Sequence, residues 1–206
     1  MKLYLMLPLI GLLGLGGVAQ AQMPQYGYGP SPYRAAPRAN PTTEAAGVLR
    51  EGMDKLIEFL AQDERPNKLQ VAAFLDKEIA PYFDFAYMAK WVAGPGYARM
   101  SGDKREALAA KLEARFLGTL AKKLARYEGQ QVRYLRPRLA RRGSVNVPVG
   151  ILRPGSYPSK LEFRMYRSKD GWKVYDVAAN GRSVSSYYRL QFKRASMPAQ
   201  PMPYRR

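Results

Sequence analysis

The sequence predicts one α+β domain, because helical and strand patterns occupy different halves of the chain. Between residues 44 and 128, apolar side chains recur every three or four positions, which is the spacing of amphipathic helices. After residue 129, apolar and polar side chains alternate, as in half-buried strands. Since the helices come before the strands, the pattern favours an antiparallel sheet of about four strands with four or five helices packed on one face.

Each predicted helix has recognisable start and stop residues. The first carries apolar residues at helical spacing from Val48 to Leu60, and the longest stacks leucines and Phe116 at four-residue steps. The predicted N-caps are Thr43, Asn67, a position near Asp84, and Ser101 or Asp103. The predicted stops are Pro81, Gly94-Pro95-Gly96 and Gly129.

Strands are predicted at residues 131–136, 145–151, 160–168 and 171–177. Pro148 suggests an edge or a bulge in the second of them. The last two join through Lys169-Asp170-Gly171, and Gly171 suits the left-handed position of a three-residue hairpin loop that pairs Ser168 with Trp172. In that register the opposed residues are Met165 and Tyr175, Phe163 and Val177, and Arg164 and Asp176.

The first 21 residues have the features of an export signal. Lys2 precedes an apolar run from Leu3 to Val18, and Ala19-Gln20-Ala21 supplies the small residues that signal peptidase requires. We expect cleavage after Ala21 and a mature protein in the periplasm. An uncleaved anchor is the alternative, but Pro8 weakens a helix and the run is shorter than the roughly 20 residues of a span.

Two flanks are not expected to fold. Residues 22–43 hold five prolines among tyrosines and glycines, and residues 195–206 hold three prolines and end in two arginines. Such segments bury too little apolar surface to fold. We therefore predict a linker at 22–43, one domain at 44–194 and a basic tail at 195–206.

The composition excludes several kinds of chemistry. The chain has no cysteine and no histidine. A Ser-His-Asp triad, a thiol nucleophile and the usual zinc sites are therefore excluded, although a Ser-Lys or two-carboxylate mechanism stays formally open. We expect no catalytic residues, no metal and no cofactor.

Positive charge is concentrated in the strand half. Residues 44–128 hold 14 Lys/Arg against 13 Asp/Glu, a balance of +1, whereas residues 129–206 hold 17 against 3, a balance of +14. A basic surface attracts phosphates of any kind. Because the leader predicts export, nucleic acid is not an expected partner; lipid headgroups, lipopolysaccharide phosphates and acidic proteins are.

Two blocks of sequence resemble one known family. The first contains Phe83-Asp84-Phe85, Met88-Ala89, Gly94 and Tyr97-Ala98-Arg99-Met100-Ser101. The second contains Gly171-Trp172-Lys173-Val174-Tyr175-Asp176-Val177, Gly181-Arg182-Ser183-Val184 and Tyr188-Arg189-Leu190-Gln191-Phe192. In order and spacing they resemble the periplasmic lipid carriers known as the MlaC or toluene-tolerance family, over roughly Val48 to Phe192.

The resemblance implies a fold and a function. The fold is a curved sheet and helices, NTF2-like in general shape, around an apolar cavity that takes the acyl tails of a phospholipid. The residues that would line it are Phe85, Met88, Val92, Phe116, Leu120, Val147, Val149, Ile151, Phe163, Met165, Tyr175 and Val177. Individually, each also suits an ordinary core.

In the resembled pathway the carrier shuttles lipid between an inner-membrane ABC-type transport complex and an outer-membrane lipoprotein and porin complex, which maintains the lipid asymmetry of the Gram-negative outer membrane. The family also has hopanoid-associated members, and the lipid, the direction of transport and the oligomeric state stay open at this point. The alternative function is an exported basic scaffold or adaptor that binds an anionic polymer or an acidic protein.

Overall fold

The computed structural model describes residues 40–62 and 64–196, which form five α-helices and a six-stranded antiparallel sheet. The helices are α1 Pro41–Leu60, α2 Lys68–Phe74, α3 Phe85–Ala93, α4 Gly102–Leu124 and α5 Val184–Ser196. The strands are β1 Gln131–Tyr134, β2 Arg138–Leu139, β3 Val145–Leu152, β4 Ser159–Ser168, β5 Gly171–Ala179 and β6 Arg182–Ser183. The α+β prediction is confirmed, and β2 and β6 add two short strands to the four expected. The predicted leader, most of the linker and most of the tail lie outside the described residues.

The first helix begins earlier than predicted. The side chain of Asn40, not Thr43, is its N-cap and accepts a hydrogen bond from the backbone N–H of Thr42 at 3.1 Å. Pro41 follows, and its fixed φ suits the first helical position, where no N–H is needed. At the other end α5 continues through Ser196, so the folded region extends past both predicted boundaries.

Three other predicted helix ends are confirmed, whereas α2 ends at Phe74 before Pro81 and α4 ends at Leu124 before Gly129. Asn67 caps α2 through a reciprocal capping box with Gln70, and the Asp84 carboxylate caps α3 by accepting from the backbone N–H of Tyr87 at 2.7 Å. Gly94 ends α3 with a φ of +57°, a conformation that favours glycine. Ser101 precedes α4 but makes no capping hydrogen bond through its side chain.

The sheet runs in the order β1-β3-β4-β5-β6, and β2 pairs with β3 beside β1. Pro148 therefore lies in an internal strand. Its carbonyl accepts from the N–H of Leu135, in the interruption between β1 and β2. Since the nitrogen and carbonyl of one strand residue point to the same side, the missing proline N–H faces that interruption and breaks no regular ladder.

The β4–β5 hairpin differs from the prediction at its turn and in its middle. Ser168 pairs with Gly171, so the loop has two residues instead of three, although Gly171 has the expected positive φ of +102°. A bulge between Arg164 and Met165 then places Met165 opposite Val174 and leaves Tyr175 as the extra residue. The predicted Met165–Tyr175 pair is therefore wrong. On the side of the bulge away from the turn, the predicted pairs Phe163–Val177 and Arg164–Asp176 are confirmed.

Candidate functional site

Eleven of the twelve side chains predicted to line a cavity lie in or against one apolar cluster between the sheet and the helices. The sheet contributes Val147, Val149, Ile151, Phe163, Met165 and Val177, and the helices contribute Phe85, Met88, Val92, Phe116 and Leu120. Within the cluster, Val147 and Val177 flank Phe163 in one cross-strand row. The sequence pattern therefore identified the apolar side of α3, α4, β3 and β4 correctly. Contact of these residues with lipid stays a prediction.

Tyr175 is the exception, because the bulge removes it from the row that contains Val177. Its ring lies 5.3 Å from that of Tyr87 and 6.0 Å from that of Tyr166, while Tyr87 and Tyr166 stack at 4.4 Å. The three tyrosines join the start of α3 to the β4–β5 hairpin outside the apolar cluster.

A cleft of about 780 Å³ opens beside the cluster, between the start of α3, the middle of α4 and the β4–β5 turn. Its apolar lining includes Phe83, Phe85, Ala86 and Ala109. The Phe83 ring lies 4.9 Å from that of Phe116 and stacks on Phe85 at 5.6 Å. Since Phe85 and Phe116 also belong to the buried cluster, the apolar interior reaches the surface here.

Sequence reasoning did not identify Phe83, Ala86 or Ala109 as site residues. The Phe83-Asp84-Phe85 motif was the available signal, because it places one aromatic residue on each side of a helix cap. Phe85 is buried and Phe83 half-buried at the floor of the cleft.

Charged side chains form the rim of this cleft. The acidic ones are Asp76, Asp84, Glu113 and Asp170, and the basic ones are Lys169 and Lys173. Burial, and secondarily the nearby Asp76 carboxylate, raise the pKa of Glu113 above its usual value. The Tyr166 hydroxyl donates to the second oxygen of Asp84; burial, followed by this hydrogen bond, raises the pKa of Tyr166.

The segment 75–84 separates this cleft from a second opening of about 340 Å³. It is irregular, with a π-turn at Leu75–Ile79 and a 3₁₀ turn at Ala80–Tyr82. The carbonyl of Pro81 accepts from Lys173 Nζ at 2.6 Å, and Tyr82 is held by Glu51 and Lys55 of α1 at 2.9 and 3.0 Å. Side chains from α1 and β5 thus hold the segment at the mouth of the cleft.

The described residues give no sign of metal or membrane-spanning structure. Within residues 40–62 and 64–196, no three acidic, histidine or cysteine side chains converge in a way that could hold a metal ion. Over the same residues, no helix combines the length and hydropathy needed to cross a bilayer.

Comparison with known proteins agrees with this geometry. The sequence model of the family described as MlaC protein matches residues 50–197, well over half of the chain. The chain belongs to the MlaC family. The resemblance in the two sequence blocks is therefore confirmed, and the matched range contains the whole sheet and the cleft.

A solved structure shares the fold of this MlaC family member. It is described as the phospholipid-binding protein from Ralstonia solanacearum in complex with a phospholipid. The two chains are 24% identical, and the match covers 73% of this chain and 86% of the other with a TM-score of 0.66. A search of curated proteins found no match.

Proposed function

We propose that this protein is a periplasmic carrier that holds the acyl tails of a phospholipid between its sheet and helices and transports the lipid between membranes. The observation that carries the proposal is the continuity between the buried cluster and the cleft, through Phe83 and Phe85. Membership of the MlaC family and the phospholipid bound by the structural neighbour support it.

The energetics of acyl tails explain why such a protein would act as a shuttle. Two tails contain on the order of 30 methylenes, and at ~0.8 kcal/mol each their removal from water stabilises the complex by roughly 24 kcal/mol. This exceeds the free energy of the tightest noncovalent complexes, so the lipid would not leave into water on a useful timescale. Against a bilayer the tails exchange one apolar medium for another, and the net change is near zero.

Loading and release would therefore occur at docked membrane complexes. We infer an inner-membrane ABC-type transporter and an outer-membrane lipoprotein and porin complex as partners, and maintenance of outer-membrane lipid asymmetry as the biological role. The protein would need no cofactor, and we propose the lipid as its cargo. Binding and transport, not catalysis, are the activities that the family supports.

The apolar cluster itself is closely packed, with Met88, Val149 and Met165 fully buried. For tails to enter, α3 and the segment 75–84 would move away from α4, because the Phe83, Phe85 and Phe116 rings close the route from the cleft.

The test is to block the cleft while leaving the cluster intact. Ala109 lines the cleft and its neighbour Ala110 is exposed and does not. We expect Ala109→Trp to lose most of the phospholipid that copurifies without detergent, measured by mass spectrometry of extracts, and Ala110→Trp to retain it. Both variants should show cooperative thermal unfolding.

A filled core would give a different result. If the wild type carries no lipid after detergent-free purification from a Gram-negative host, the interior is an ordinary core. The +14 balance of residues 129–206 would then favour the exported scaffold that binds an anionic polymer or acidic protein.

Variants inside the cluster test the same point: Val147→Trp and Val177→Trp should lose lipid. Leu69→Trp is their control, since Leu69 is exposed.

A further inference from the structure

Helices α3 and α5 pack together and leave three large apolar side chains at the surface. Trp91 of α3 is 37% exposed, and Tyr187 and Leu190 of α5 are each 58% exposed. Single exposed apolar residues are common on proteins, but here they come from two helices that are in contact.

The same two helices carry four cations and no acidic residue: Lys90, Arg189, Lys193 and Arg194. The guanidinium of Arg189 lies 5.2 Å from the centre of the Trp91 ring. None of the four cations takes part in an ion pair with another described residue. We call this set of seven residues the α3–α5 surface.

The chemistry of the α3–α5 surface matches the interface of an anionic bilayer. Trp and Tyr prefer the headgroup level of membranes, where one end of the ring is apolar and the other hydrated. Lysine and arginine close to anionic lipid each strengthen binding about five-fold. An acidic residue would oppose this attraction, and neither helix contains one.

The α3–α5 surface also continues from the mouth of the cleft. Ala86 lines the cleft, and Lys90 lies four residues later on the same side of α3. The nine residues of α3 span only ~13 Å. A bilayer in contact with Lys90 and Trp91 would therefore lie within ~13 Å of the cleft.

We propose that the α3–α5 surface is where this protein rests on an anionic phospholipid bilayer. This goes beyond the proposed carrier function and does not depend on it, because surface contact requires no lipid in the cluster.

The experiment uses tryptophan as a native probe. The chain has two tryptophans, and Trp172 is buried and donates to Glu44, so Trp91 reports on the surface. Processed protein, recovered from the periplasm of the expression host, is mixed with vesicles of phosphatidylcholine alone or with 30% phosphatidylglycerol. We expect flotation and a blue shift of the emission only with anionic vesicles, both weakened by salt because exposed charges are screened.

Matched variants distinguish binding through the α3–α5 surface from attraction by the overall positive charge of the protein. Lys193→Gln with Arg194→Gln should weaken binding about 25-fold, the product of two five-fold losses. Arg136→Gln with Arg138→Gln removes the same charge around β2, at the opposite edge of the sheet, and should change binding less than about three-fold.

The apolar contribution has its own matched pair. Tyr187→Ser with Leu190→Ser should weaken binding at least five-fold. Tyr157→Ser with Leu69→Ser, at positions 98% and 80% exposed, should leave it unchanged.

Brominated lipids distinguish this contact from lipid uptake. They should quench the wild-type emission and leave the emission of Trp91→Phe unquenched. Quenching that persists in Trp91→Phe reports lipid beside buried Trp172, which supports the carrier function and not the surface. Equal binding to neutral vesicles, equal loss in the control pairs, or no binding at all would overturn the proposal; the last result would point to an acidic protein as the occupant.

Discussion

Replacing Asp176 by asparagine should destabilise the domain, because this carboxylate joins β4, β5 and α5. Its side chain is 3% exposed. One oxygen accepts from Arg164 Nη1 at 3.0 Å and from the Ser183 hydroxyl at 2.7 Å, and the other accepts from the backbone N–H of Ser185 at 2.9 Å. The last bond anchors the first turn of α5.

An asparagine of the same shape cannot satisfy this arrangement. With its amide nitrogen toward Arg164, one donor faces another; with the side chain flipped, the donor faces the Ser185 N–H. A hydrogen bond to a charged group contributes about 1.5–3 kcal/mol. Arg164 is 32% exposed and lies 3.6 Å from Glu162, so water and the Glu162 carboxylate partly compensate Arg164 for the lost charge of Asp176. We expect a loss of about 2–3 kcal/mol, or a Tm lower by about 4–12 °C for a domain of this size.

The assay is urea unfolding followed by far-UV circular dichroism, with the slope of the transition compared between variants. Asp170→Asn is the control: it lies in the same hairpin, its side chain is exposed, and it should change stability by less than about 0.5 kcal/mol. Hydrogen exchange should show faster opening at the amide of Ser185. A loss below about 1 kcal/mol, or an equal loss in the control, would refute the role assigned to Asp176.

Three further results are expected. In α1, Gly47→Ala should raise the free energy of unfolding by about 0.5–1 kcal/mol, because alanine favours the helix. Gly52→Ala should not raise it, since its Cβ would lie 3.3 Å from the Tyr82 ring. Equal increases for both variants, measured by urea unfolding, would contradict this contact. Burial, followed by a hydrogen bond to a carboxylate, raises the pKa of Tyr134 from 10.0 to about 12, so its contribution to stability is complete below pH 10 and lost toward pH 12. The free energy of unfolding of Tyr134→Phe should therefore fall less steeply with pH over this range than that of the wild type. An unchanged slope would refute this role of Tyr134. The intact mass of the protein recovered from the periplasm should equal that of a chain that begins at Gln22. A chain that keeps residues 1–21 and is found in the membrane fraction would contradict soluble export.

Much of the fold follows from local rules. Alternation placed Val147, Phe163 and Val177 on one side of the sheet, because successive strand residues point to opposite faces. Asn67 and Asp84 were identifiable as caps, since their side chains bond to N–H groups only two or three residues away. The family, too, was evident from the order of its sequence blocks.

The predictions from sequence were wrong where the chain had two local conformations of similar free energy. The β4–β5 hairpin could place one extra residue either in its turn or further along as a bulge, and the protein has the bulge at Tyr175. The start of α1 was assigned to Thr43, whereas Asn40 followed by Pro41 begins the helix earlier, with the Asn40 side chain accepting from the backbone N–H of Thr42.

The sequence by itself determined which residues are apolar, where the main helices and strands lie and, apart from the bulged strand β5, which side of them is buried. Only the tertiary structure decided where that apolar interior meets the surface. The cleft depends on Phe83 approaching Phe116 and on Asp84 accepting from Tyr166, 82 residues later. The α3–α5 surface likewise joins Trp91 to Arg189 across nearly 100 residues. Periodicity describes one element at a time and carries no information about distances between elements, which are set by how the whole core packs.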